Sequence, residues 1–97
     1  MKKRVHAYVQ WIPFSEGGRR SPIPLGMKYG PIIRFEEEIN RIEEWSAEIY
    51  VIRNDSDNTS LIELSYLVSK APFHNLSTGK TFELFEGNRL VAKGTIL

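Results

Sequence analysis

A Gly87-Asn88 pair set between two runs of alternating apolar and polar residues constrains this chain more than any other feature. Lys80 to Glu86 and Arg89 to Leu97 each read with the period of two that a half-buried strand requires. Gly-Asn is one of the few dipeptides that readily adopts the positive φ a two-residue β-hairpin turn needs. The end of the chain is therefore expected to be a β-hairpin. A lone hairpin is not stable in water, so further strands must cover its apolar face.

The rest of the sequence supplies them. Val5, Ala7, Val9 and Trp11 alternate with His6, Tyr8, Gln10 and Ile12, and Pro13 stops the run. Pro31 to Phe35 reads as a short strand, and Ala47 to Ile52 as a longer one. Asn54-Asp55-Ser56-Asp57-Asn58 is a polar turn of residues that bond their own backbone. Ser60 to Val68 follows, with Ile62, Leu64, Tyr66 and Val68 on the face expected to be buried. Pro72 to Gly79 reads as a loop. Between residues 15 and 26, three glycines and two prolines rule out regular structure. About six strands joined by short polar turns point to an all-β fold, a small closed antiparallel barrel or a sandwich.

Residues 36–45 leave two readings open. Phe35, Ile39, Ile42 and Trp45 would form one stripe of a short helix, with the glutamates in solvent. The same segment also reads as an extended acidic connection.

With 97 residues there is room for one core, so residues 1–97 are read as one domain. An apolar fraction of 41% is enough to build that core and too high for a disordered chain. The absence of cysteine removes a disulfide scaffold, a thiolate metal site and a cysteine nucleophile together. No run approaches the roughly 18 apolar residues of a membrane span. Polar residues interrupt the stretch after Met1-Lys2-Lys3-Arg4, so it lacks the apolar centre of a signal peptide. A cytoplasmic location is expected on these grounds.

The net charge of +1 conceals a gradient. Residues 1–34 carry seven basic and one acidic side chain; residues 35–63 carry two and nine; residues 64–97 carry four and two. Strands from distant segments could interleave these charges, or leave a basic face able to meet phosphate.

Catalytic constellations are missing. His6 and His74 have no partner at ligand spacing, so no metal site is expected. No serine sits in a nucleophile elbow. The runs Glu36-Glu37-Glu38 and Glu43-Glu44 are explained by solvation of like charges. Ser77-Thr78-Gly79-Lys80-Thr81 ends like a phosphate-binding loop but lacks the upstream glycine and leads into a strand. The chain is expected to be no enzyme, to need no cofactor and to bind no nucleoside triphosphate.

Two stretches resemble the C-terminal β-barrel, domain III, of the elongation factor Tu family. Glu16-Gly17-Gly18-Arg19-Arg20-Ser21-Pro22 is similar to its Glu-Gly-Gly-Arg-x-Thr-Pro loop. Gly79 to Ile96 is similar to its closing hairpin, and Gly26 to Phe35 loosely follows its Gly-Tyr-Arg-Pro-x-Phe segment. Asn88 replaces a glycine, the 26–35 stretch carries extra residues, and 36–45 has no good counterpart. The family's GTP-binding domain and middle barrel have no counterpart in these residues either.

The resemblance implies a stand-alone, non-catalytic binding module that contacts tRNA or another RNA. Arg20 would then be the phosphate contact and Arg19 a structural pin, with Lys28 and Lys70 as further candidate cations. Gly17, Gly18, Pro22 and Gly87 would be turn residues. The alternative is a protein-interaction module, either a mimic of the translation-factor barrel or a small inhibitory or immunity-type protein. Trp11, Tyr8, Phe14 or Trp45 would then supply an aromatic anchor.

Overall fold

The computed structural model describes residues 2–36 and 44–97. Seven strands are present there: β1 (Val5–Trp11), β2 (Lys28–Tyr29), β3 (Ile32–Phe35), β4 (Trp45–Asn54), β5 (Thr59–Tyr66), β6 (Thr81–Glu86) and β7 (Arg89–Ile96). All pairings are antiparallel. The order β4-β3-β6-β7-β1-β5 returns to β4 through the β4–β5 pairing, so six strands close a barrel. Closure leaves no open edge along these six, which removes the usual risk of strand-to-strand aggregation.

The short β2 lies outside the ring, on the edge of β4 that β3 also uses. Tyr29 faces Ile49 and Ile32 faces Ser46, so both pieces keep one register. Pro31 interrupts them because it has no N–H to donate. Its carbonyl still accepts from the Ala47 N–H at 2.7 Å.

Ile62, Leu64 and Tyr66, expected on the buried face of β5, are inside. So are Ala7 and Val9, and Phe82, Leu84, Val91 and Ile96 from the closing hairpin. Each large aliphatic side chain taken from water in this way contributes about 1.5–3 kcal/mol. Val68, expected on the same face as Tyr66, lies beyond the end of β5 and is exposed. Trp45, which one of the two readings of 36–45 put on a helical stripe, opens β4. Glu36 lies in a turn and Glu44 outside any regular element, and residues 37–43 of that segment lie outside the described residues.

Two bulges sit near one mouth of the barrel. Register shifts between Val51 and Arg53 in β4, and between Leu84 and Phe85 where β6 meets β7, add one residue on β4 and one on β7. Ile52 and Val91 are the added residues. Bulges sharpen the local twist and redirect backbone groups. Here the Val91 carbonyl is aimed at the Ile12 N–H, 2.9 Å away, which fixes where the chain leaves β1.

Candidate binding mouth

The chain from Ile12 to Met27 crosses the mouth where β1, β4 and β6 end. We call this the loop mouth; β5 ends at the opposite one. The loop starts with a 3-10 turn at Phe14–Glu16, and Gly17 closes it in the left-handed region at φ +98°. Gly18 is needed for a different reason. A Cβ there would stand 1.7 Å from the Ile12 carbonyl oxygen, because the loop is drawn back onto its own start. The Gly18 N–H bonds the Pro13 carbonyl at 3.0 Å and holds that approach. Gly87, at φ +61°, turns the β6–β7 hairpin beside the same mouth. Pro22 is exposed and lines the cleft described below.

Arg19 fastens this loop to the barrel. Its guanidinium pairs with Glu86 at the end of β6, and its Nε donates to the Ser21 carbonyl at 3.1 Å. The Tyr29 hydroxyl donates to the same Glu86 carboxylate at 2.5 Å. The Arg19 guanidinium also lies 5.1 Å from the Tyr29 ring centre, and Tyr29 packs on Trp11 at 6.1 Å. Burial opposes the charge on Glu86, but the bonds from Tyr29 and Arg19 outweigh it and hold the carboxyl below its ordinary value. Burial, with the carboxylate beside it, pushes the Tyr29 hydroxyl up. Sequence reasoning missed Glu86 and Tyr29, because Glu86 is 67 residues from Arg19 and no local pattern links them.

A cleft of about 490 Å³ opens between this loop and the β4–β5 turn. Trp11, Ile12, Pro13 and Phe14 form one wall, and Pro22 and Ile23 form part of another. Asn54, Asp55 and Asn58 form the polar side. Trp11 donates its indole N–H inward to Ser60 Oγ at 2.8 Å, and that hydroxyl donates on to Asn54 Oδ1 at 2.6 Å. Phe14 is 56% exposed. The Arg20 guanidinium lies 4.9 Å from its ring centre, and Arg20 makes no ion pair among the described residues.

The four cations singled out in the sequence do not form one cluster. Arg19 and Arg20 share the loop mouth. Lys28 points outward from β2 and lies 3.9 Å from Glu48 on β4. Lys70 is exposed at the opposite mouth, in the loop after β5. Glu48 is itself 8% exposed and also pairs with Lys2 and Arg4, each at 3.2 Å. Burial would raise its carboxyl, but the Lys2 bond and the charges of Lys2, Arg4 and Lys28 hold it below the ordinary range. Arg34 pairs with Glu44 and Arg53 with Asp55. The charge segregation along the sequence is thus largely interleaved across the folded surface.

Among the described residues, no cluster of three metal-ligating side chains occurs, and no helix is long and apolar enough to cross a membrane. No protein-family model and no curated protein matches this chain.

Proposed function

We propose that this chain is a non-catalytic binding module that works through its loop mouth, with a protein as its partner. One observation carries the choice of protein over RNA. Among the candidate phosphate contacts, Arg19 is engaged with Glu86 and Lys28 stands against Glu48, while Arg20 and Lys70 lie at opposite mouths. Affinity for a phosphate backbone comes from several cations acting along one track. A mouth with an exposed phenyl ring, a half-buried indole and one open cation instead has the apolar centre and polar rim of a protein interface.

RNA binding is the second reading. It draws support from Phe14 with Arg20, a pairing that could stack a single-stranded base, and from the resemblance to the elongation factor Tu barrel. A mobility-shift titration of labelled tRNA separates the two. The protein reading expects no shift up to roughly 50 μM protein at low salt, where phosphate contacts are strongest. A photo-cross-linking side chain at Phe14 is expected to capture protein in the cells of origin, and the same group at His74, by the opposite mouth, is not. A salt-dependent tRNA shift that Arg20→Glu abolishes would replace the protein reading with the RNA one.

A further inference from the structure

Building on the protein reading, we infer that the loop-mouth cleft takes a short peptide segment in which a large apolar or aromatic side chain lies next to a carboxylate. Charge decides the polar part. Arg20 is the cation at the rim that no acid engages among the described residues, whereas Asp55 across the cleft is bonded to Arg53 at 2.9 Å. The open charge of the cleft is therefore positive, and a carboxylate completes it. Stacking on Phe14 holds the guanidinium in place, so less side-chain entropy is lost when the ion pair forms.

Shape and hydrogen bonding decide the apolar part. The Trp11 indole N–H is already bonded to Ser60, so the ring has no donor left for a ligand and can offer only apolar surface. The backbone donors at the start of this wall are spent as well. The Trp11 N–H bonds Asn58, Ile12 bonds Val91, and Glu16 and Gly18 both bond Pro13. Pro13 and Pro22 have none to give. A partner strand therefore finds no run of free donors from Trp11 to Pro13, which disfavours strand addition there. Recognition must come from a side chain buried between Trp11, Phe14 and Pro22. The volume of about 490 Å³ suits a few residues rather than an extended strand.

Selection from a random heptapeptide library on the immobilised protein tests this directly. The expected consensus is Asp or Glu within two positions of Phe, Trp, Leu or Met. Arg20→Glu is expected to invert the charge preference toward Lys or Arg. It should also weaken the best acidic peptide about fivefold or more, the upper end for an exposed ion pair. Phe14→Ala should lose the consensus while the thermal transition stays in place, since both side chains are exposed. Binding should shift the Trp11 indole N–H resonance. An apolar consensus without acid, a basic consensus, no enrichment, or a charge preference that Arg20→Glu leaves unchanged would each overturn the inference. If site-specific capture of protein at Phe14 survives such a result, the module still binds protein through this mouth and only the peptide chemistry is wrong.

Discussion

Gly18 shows how much one hydrogen atom can decide. A methyl group there would collide with the Ile12 carbonyl at 1.7 Å, and the obstacle is backbone that cannot swing aside. Gly18→Ala should therefore destabilise the protein by about 2–4 kcal/mol, in the range of severe steric substitutions. Gly17→Ala meets nothing within 4 Å and suffers only from its positive φ, so it should cost about 1 kcal/mol. Urea titration of the two variants measures the difference. The Gly-Gly pair was legible in the sequence as a turn. The different duties of its two members were not, because only the folded loop brings residue 18 back against residue 12. Arg19 was likewise legible as a pin for this loop. Its acceptor was not, because Glu86 arrives from the far end of the chain.

At the scale of elements, the β6–β7 hairpin was the most legible part, since a turn and two alternating runs lie next to one another in sequence. β2 was invisible. It is two residues long, it sits between glycines at 26 and 30, and only the neighbouring β4 makes it a strand. Gly94 interrupts the side chains of β7, and the structure shows why: a Cβ there would lie 2.4 Å from the Phe82 ring and 2.9 Å from the Tyr8 carbonyl. Gly94→Ala should cost about 2–3 kcal/mol through this overpacking. Trimming the ring with Phe82→Leu in the same chain should restore part of that loss, so the double variant should be more stable than the two single losses predict. A double-mutant cycle by chemical denaturation gives the coupling. A purely additive result would place the whole strain on the Tyr8 backbone.

Across the whole molecule, acids and bases from distant segments meet on the barrel wall. Glu48 was not singled out in the sequence, yet the fold buries it among Lys2, Arg4 and Lys28. The closed barrel of about six strands was nonetheless foreseeable from strand count and turn spacing. What no local pattern encodes is the ring order, in which β1 stands between β5 and β7. Glu48 and Glu86 both have folded pKa values below the ordinary 4.5. Their stabilisation is fully present above that value and is lost as pH falls through the lower folded values. Glu48→Gln should cost about 1–3 kcal/mol at pH 7, by leaving its cations without a carboxylate. The gap to the parent should narrow at a second, acidic pH below 4.5, as the pH falls toward the folded value at which the parent's own carboxyl takes up a proton. Denaturation at the two pH values tests both statements.

The place of β1 in the ring also has a consequence for how the protein is made. β1 is made before the other six strands of the barrel, yet one of its two partners, residues 92–96 of β7, is made after them all. At about 5–20 residues per second, the intervening 80 or so residues take roughly 4–16 s to synthesise. Throughout that interval the Val5–Trp11 strand can pair on one side only, with β5 once that strand has emerged. The nascent sheet is then open, with one edge of β1 unpaired, and the arrival of β7 turns it into a closed barrel.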